Sequence, residues 1–290
     1  MKEWYFMKII ENTCFPKERD LYNQVDLVLN NCRFEGEEDG ESALKECKNI
    51  ELNNCYMDLR YPLWHDDKMV LNNVTQTENC RASIWYSNDI VIRNSNLLGI
   101  KAIRECKDIL IENSTINSLE FGWKSGNFTI NNSSITSQYV FFLAKNLKAS
   151  NSKFYGKYGF QYMENVYFEN CYFDTKDAFW HGKNILVKDS VVKGEYLGWY
   201  STNLTFINCQ IIGIQPLCYC ENLKLINCTM EDANFAFEYS SVDATINGFV
   251  ESIKNPKDGH IVVDSVGEVL LTPDSKYESK ALIEIKKQGE

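Results

Sequence analysis

The sequence predicts an all-β chain folded as a single-stranded, right-handed parallel β-helix, a solenoid of about nineteen-residue coils. Three observations carry that expectation. Asn94, Asn113, Asn132, Asn151, Asn170, Asp189, Asn208 and Asn227 recur at a strict spacing of nineteen residues. A fixed period near twenty marks a solenoid in which each repeat is one coil stacked on the last. A second column, formed by Asp108, Asn127, Asn146, Asn165, Asn184, Asn203 and Asn222, stands five residues ahead of the first. Between the columns apolar residues alternate with polar ones, as Leu204 and Phe206 do on either side of Thr205. Period-two alternation in runs this short means strands rather than helices.

The elements follow in order along one domain, residues 1–290. Residues 1–26 precede the repeat and are expected to cap one end. Coils occupy about 27–250, with Asn31, Asn54 and Asn73 extending the corner series backwards at longer gaps. Residues 35–46, which include Glu37, Glu38, Asp39 and Glu41, lengthen an early coil as a solvated acidic loop. After Asn247 the period fails, and Asn255-Pro256-Lys257-Asp258-Gly259 is turn chemistry. Residues 251–290 therefore read as a C-terminal cap of strands and a polar tail. Terminal coils need covering because they expose open strand edges.

The repeat also explains residues that would otherwise suggest chemistry. Asn tolerates the left-handed backbone of a tight corner, and its amide bonds the same residue one coil away. The N-x-S/T triplets at Asn113, Asn132 and Asn227 are by-products of that lattice. Of the eleven cysteines, Cys32, Cys55, Cys171, Cys209 and Cys228 directly follow a corner, where other coils have Ser95, Ser114, Ser133, Ser152 and Ser190. Cys47, Cys106 and Cys220 fill a second small-residue slot shared with Ser125, Ala144, Gly182 and Ser201. We read them as structural thiols rather than disulfides or metal ligands. A third pattern, the pairs Ala102-Ile103, Phe121-Gly122, Val140-Phe141, Gly159-Phe160, Ala178-Phe179 and Leu197-Gly198, sets one large residue beside a smaller one in nearly every coil. It keeps core volume constant, as close packing requires.

A net charge of -10 and a pI near 5.0, without a basic run, argue against a nucleic-acid partner. Met1 to Cys14 hold Trp4, Tyr5 and Phe6 but no apolar stretch of signal-peptide length, and no membrane span is legible. A cytoplasmic protein without membrane contact is the expectation, with no cofactor and no metal.

The alternating strands, the two Asn columns and the Cys/Ser stacks resemble the right-handed parallel β-helix of the pectate-lyase-like superfamily. More narrowly, Gly40-Glu41-Ser42-Ala43-Leu44-Lys45-Glu46, Tyr61-Pro62-Leu63-Trp64-His65, Asp177-Ala178-Phe179-Trp180-His181 and Gly194-Glu195-Tyr196-Leu197-Gly198-Trp199-Tyr200 resemble an uncharacterised bacterial β-helix family, a domain of unknown function. The likeness covers nearly the whole chain and implies a fold but no activity. The superfamily's polysaccharide enzymes need an N-x-D, an Asp pair, a G-H-G and an R-I-K on consecutive coils. Here Asp66-Asp67 is the sole Asp pair, Gly259-His260 lies far from it along the chain, and the rest is missing.

What remains after the lattice is one aromatic face. Ten residues past each corner, with the longer early spacing allowed for at Trp85, stand Trp64, Trp85, Arg104, Trp123, Phe142, Gln161, Trp180, Trp199, Cys218 and Phe237. Because Arg and Gln are admitted, the column is expected to face outward. The following position holds His65, Tyr86, Glu105, Lys124, Tyr162, His181, Tyr200 and Tyr219, and three residues before the column come Lys101, Glu120, Tyr139, Tyr158, Asp177, Tyr196 and Gln215. Such a face suits an extended carbohydrate or other extended ligand, with sugar rings stacking on Trp and Tyr. Trp180, Trp199, Tyr196, Tyr200, Trp123, Arg104, Trp85, Trp64 and His65 are the candidate contacts. The alternative is self-stacking, with Arg104 held between Trp85 and Trp123 by cation–π attraction. His65 and His181 stand six coils apart, about 29 Å at the strand spacing, and cannot share a site. Asp177, His181 and Glu195 occupy adjacent coils and form the candidate acid/base set. Trp64, His65, Asp66 and Asp67 are a second cluster. A glycan-binding solenoid, a carbohydrate-active hydrolase or lyase, and a purely structural or protein-binding solenoid are the three functions this leaves.

Overall fold

A computed structural model describes residues 7–37 and 40–286. Trp4, Tyr5 and Phe6 of the expected N-terminal cap, Glu38 and Asp39 of the acidic loop, and residues 287–290 lie outside the described residues. Among the described residues there is no α-helix, and the single helical turn is the 3₁₀ segment Glu78–Cys80. The chain divides into two compact units, residues 1–141 and 142–290. Each is a parallel β-solenoid.

In the first unit the longest face stacks Lys8–Glu11, Val25–Asn30, Lys48–Asn53, Asp67–Asn72, Asn88–Arg93, Lys107–Glu112 and Gly126–Asn131. Register follows the nineteen-residue period, with Ile90 beside Ile109 and Ile92 beside Ile111. Those isoleucines are buried while the intervening Val91 and Arg93 face outward, as strand alternation dictates. A second face carries Thr75–Gln76, Asn96–Leu97, Thr115–Asn117 and Ser134–Ser137. The third, with only two residues per strand, is Leu63–Trp64, Ile84–Trp85 and Ile103–Arg104. The second unit repeats the scheme with Lys145–Ser150, Glu164–Glu169, Lys183–Lys188 and Thr202–Ile207. Its parallel ladder continues through Ser241–Lys254, Asp258–Leu270 and Leu282–Ile285.

Both Asn/Asp columns take the left-handed conformation, with φ of 50° at Asn94 and 57° at Asp108. The side chains ladder as expected: the Asn73 amide donates to Asn54 Oδ1 at 2.8 Å, and Asn203 donates to Asn184 at 2.8 Å. These corners are exposed, so the amide ladders sit at the surface. The small residue after each corner is interior. Ser114 Oγ accepts the Ser95 N–H at 3.1 Å and donates to the Glu112 carbonyl at 2.8 Å. All eleven cysteines are free thiols, Cys14 being exposed and the others buried. Among the described residues no cluster of His, Cys, Asp or Glu could hold a metal ion.

The second small-residue slot contains an exception. Where the next coil places Ser in this column, its Oγ accepts the backbone N–H: Asp66 N–H goes to Ser87 Oγ at 3.0 Å and Cys106 N–H to Ser125 Oγ at 3.0 Å. Asp66 occupies the slot itself, accepting the Cys47 N–H at 2.7 Å through Oδ1, and is 1 % exposed. Its Oδ2 is buried with no hydrogen-bond partner. Burial lifts this carboxyl well above the ordinary carboxylate range. Asp67 is exposed. The Asp pair of the second candidate cluster therefore points to opposite sides of the wall, because neighbouring strand residues alternate.

Large and small core residues interlock between coils. A Cβ on Gly122, whose φ is +73°, would lie 2.5 Å from the Phe141 ring. In the second unit Phe154 stacks on Phe173 at 5.2 Å and Phe160 on Phe179 at 5.1 Å.

Candidate functional site

The Trp column lies on the outside of the coil wall. In each strand of the third face the first side chain is buried and the second only partly so, as in Leu63–Trp64, Ile84–Trp85 and Ile103–Arg104. The rings are not free, however. Trp64 and Trp85 stack at 5.2 Å with planes 2° apart, and the Arg104 guanidinium sits 5.0 Å from Trp85 and 5.5 Å from Trp123. In the second unit Trp180 and Trp199 stack at 5.4 Å, 4° apart. Each indole N–H is spent on a carbonyl of the next coil: Trp85 on Lys101 at 2.9 Å, Trp123 on Tyr139 at 2.6 Å, Trp180 on Tyr196 at 2.6 Å and Trp199 on Gln215 at 2.8 Å. Gln161, which replaces a Trp, makes the same bond to Asp177 at 3.3 Å. Within each stacked pair the facing indole surfaces cover one another, and Arg104 lies against Trp85 and Trp123.

Two column assignments also change. Cys218 and Phe237 are fully buried. The Cys218 Sγ lies against the Gln215 and Phe235 carbonyls, at 3.5 and 3.6 Å. At Phe237 the coil has gained a residue, since Asn247 bonds Asn227 across a gap of 20. A one-residue slip reverses the side a residue faces. Glu238 takes the column position instead, its carbonyl accepting the Tyr219 N–H at 2.7 Å.

The next column is the more exposed one, with His65, Tyr86, Lys124, Tyr162 and Tyr200 exposed and the others half-buried. His65, Tyr86, Glu105, Lys124, Tyr162, His181, Tyr200, Tyr219 and Tyr239 all have positive φ, between 52° and 61°. The conformation aims each N–H at the neighbouring Trp-column carbonyl, as with His181 to Trp199 at 2.9 Å. It also lays the rings in a second stack. His65 lies 5.0 Å from Tyr86, and Tyr162, His181, Tyr200 and Tyr219 succeed one another at 4.7, 5.0 and 4.7 Å, their planes nearly parallel. Tyr86, Tyr162 and Tyr200 remain 39 %, 42 % and 46 % exposed.

The candidate acid/base set is adjacent but unconnected. Asp177 is buried, and burial raises its carboxyl above the ordinary value while Lys176 opposes the shift. Its main-chain N–H bonds the Glu195 carbonyl at 2.9 Å. The Glu195 carboxylate is instead taken by Lys176 Nζ at 2.8 Å. His181 is sandwiched between two tyrosines. Among the described residues no hydrogen bond or ion pair joins the three side chains.

The first unit holds residues that the face pattern did not single out. A cavity of about 350 Å³ is lined by Gly36, Asp58, Leu59, Arg60, Asn79 and Arg81. A second, of about 230 Å³, is lined by Tyr61, Trp64, Trp85, Lys101 and again Arg81, with Ala82 and Ile100. Their sequence signal is coil length. Corners Asn31 and Asn54 are 23 residues apart, as are the bonded amides. Asn73 and Asn94 are separated by two residues more than the standard coil. Gly36 belongs to the first long coil, Asn79 and Arg81 to the second, and Asp58 to Arg60 to the standard coil between them. A short coil flanked by two long ones leaves a trough.

Stacked parallel coils with aromatic ladders on their outer wall define a β-solenoid protein. The chain belongs to the family described as "Protein of unknown function (DUF3737)", whose model matches residues 8–284. Among curated proteins none matches it in sequence. Solved structures similar in fold include the surface adhesin PfbA of Streptococcus pneumoniae, at 10 % identity and a TM-score of 0.43 over 79 % of this chain and 75 % of that one. The tailspike protein of E. coli bacteriophage HK620, in complex with a pentasaccharide, is similar at 9 % identity and a TM-score of 0.47, covering 96 % and 71 %. An exopolygalacturonase of Thermotoga maritima follows at 10 % identity and a TM-score of 0.32, covering 91 % and 70 %.

Proposed function

We propose that the protein is a non-catalytic binding solenoid in which each unit holds an extended, hydroxyl-rich ligand, such as a glycan, along its own exposed aromatic column. The observation that carries this reading is the second ring stack. It places amphipathic Tyr and His edges on the surface one coil apart, with Tyr86, Tyr162 and Tyr200 about two-fifths exposed. Tyrosine supplies apolar ring area and a hydroxyl donor and acceptor at low entropic cost. The ladder fixes these rings before binding, which lowers the ordering cost of association. The competing reading, a carbohydrate hydrolase or lyase, draws support from the raised Asp177 carboxyl. Against it stands the engagement of Glu195 by Lys176, which leaves Asp177 without a second free carboxylate.

The test is calorimetric titration of the full chain with neutral and acidic oligosaccharides. Tyr86→Ala and Tyr200→Ala are expected to weaken binding at least tenfold with little change in melting temperature, and no oligosaccharide should be cleaved. Binding unchanged in both variants, or none by the wild type, would sink the reading in favour of a structural or protein-binding solenoid. Turnover abolished by Asp177→Ala would establish the enzyme.

A further inference from the structure

We infer that the smaller cavity of the first unit is a subsite for one acidic sugar residue, a uronate, of the extended ligand, with Arg81 as its carboxylate-binding residue. The inference rests on the glycan reading above and adds to it the position and the charge of one ligand residue.

The cavity is built by the coil-length exceptions. The extra residues between Asn73 and Asn94 form the 3₁₀ turn Glu78–Cys80, and Arg81 caps that turn with φ of 51°. The cap is fixed by main-chain bonds: the Arg81 N–H donates to the Glu78 carbonyl at 3.1 Å, and the Arg81 carbonyl accepts the Lys101 N–H at 3.0 Å. The guanidinium is thereby carried on a rigid turn where both cavities meet.

Charge singles out this residue. Of the nearby cations, Arg60 pairs with Glu41 at 3.8 Å and Lys101 with Glu120 at 3.5 Å. Arg81 makes no ion pair among the described residues and is exposed. The larger cavity contains Asp58, which accepts hydrogen bonds from Thr77 and Asn79 and disfavours an anion there. The smaller cavity has no carboxylate in its lining. In a chain of net charge -10 an uncompensated guanidinium inside a concave site is a specific feature. Its planar fork matches a carboxylate bidentately.

Size and chemistry complete the match. About 230 Å³ is below the usual range for a whole drug-sized ligand and suits a single ring. The lining offers the Trp64 and Trp85 indoles and the Tyr61 ring, which is tilted 50° to Trp64 at 5.2 Å. The ligand residue must then combine apolar surface, to lie against the indole edges and Tyr61, with one negative group. A uronate does so, and a neutral hexose lacks the charge.

The experiment compares a neutral β-1,4-linked glucose tetrasaccharide with its glucuronate counterpart at 150 mM salt, where only close contacts escape screening. Calorimetry is run on the full chain, on Arg81→Gln and on Arg81→Lys. Trp64→Phe and Trp85→Phe identify which indole reports binding by fluorescence. The wild type is expected to bind the uronate at least tenfold more tightly. Arg81→Gln should abolish that preference, bringing the affinities for the two sugars to within about twofold of each other, and Arg81→Lys should restore part of it. Equal binding of the two sugars by the wild type, or an unchanged preference in Arg81→Gln, overturns the acidic subsite and leaves the glycan reading standing. Uronate preference without a fluorescence change in either Trp variant's parent overturns the location. Binding of neither sugar overturns both.

Discussion

Asp66 carries the prediction most fully determined by the structure. A carboxyl stands where neighbouring coils place Cys or Ser, accepts one backbone N–H at 2.7 Å and leaves its other oxygen buried and unpartnered. Burial raises its pKa, and the nearby Glu46 charge adds to the shift. The folded chain therefore holds a proton that the unfolded chain releases above about pH 3.9. Because the native state binds more protons, stability is greatest below that pH and falls as pH rises, until the folded carboxyl itself ionises. Over that interval the slope is about 1.4 kcal/mol per pH unit. Asp66→Asn keeps the Oδ1 acceptor and removes the ionisation. It should match the wild type near pH 4 and become the more stable protein as pH rises. Asp66→Ser restores the slot's usual residue, removing the orphan oxygen as well, and should add about 1–3 kcal/mol near pH 4, a gain that grows as pH rises and the wild type loses stability. Urea unfolding of the three proteins between pH 4 and 7 measures both effects. Hydrogen exchange at the Cys47 amide, which Asp66 accepts, gives the local readout. Wild-type and Asp66→Asn stabilities that run parallel across this range would refute the argument.

Other outcomes are equally direct. Burial pushes the Cys47, Cys80 and Cys106 thiols up to about 12, so a thiol reagent at pH 8 should label Cys14 rapidly and the other ten only on unfolding. Fast labelling of more than one thiol in the folded chain would contradict the packing. Gly122→Ala places a methyl into the Phe141 ring at a positive φ and should cost about 1–3 kcal/mol, measured by denaturant midpoint. Trp199→Ala loses a stack on Trp180 and a hydrogen bond to Gln215. Since the ring is only partly buried, it should cost about 2–4 kcal/mol, somewhat below a fully buried aromatic. A near-neutral result would mean the column is not structural.

How much of this was legible beforehand depends on what each residue answers to. The corners were, because left-handed backbone demands Asn or Asp at fixed spacing and the same demand returns in every coil. The cysteine slots were legible for the same reason. The role of the Trp column was not, because an outward side chain can have its faces covered by its own equivalents one coil away. Only distances such as 5.2 Å between Trp64 and Trp85 reveal that. The candidate set Asp177, His181 and Glu195 was read from coil adjacency, which brings backbones together but cannot show that Lys176 claims the Glu195 carboxylate.

The coil-length exceptions show where such a fold can hold a ligand. In a regular stack every side chain meets its equivalents above and below, so each face is covered and each N–H is used. A recess requires a coil that departs from its neighbours. In the first unit the departures fall on either side of Asp58 to Arg60, and the two cavities lie there. Removing the two additional residues near the Glu78–Cys80 turn should close the smaller cavity while leaving the parallel register of Asp67–Asn72 with Asn88–Arg93 intact. A shortened chain that keeps its melting temperature but loses the Trp64 and Trp85 fluorescence response to a uronate would assign the recess to binding. Retention of the response would mean the ligand is held by the ring column alone.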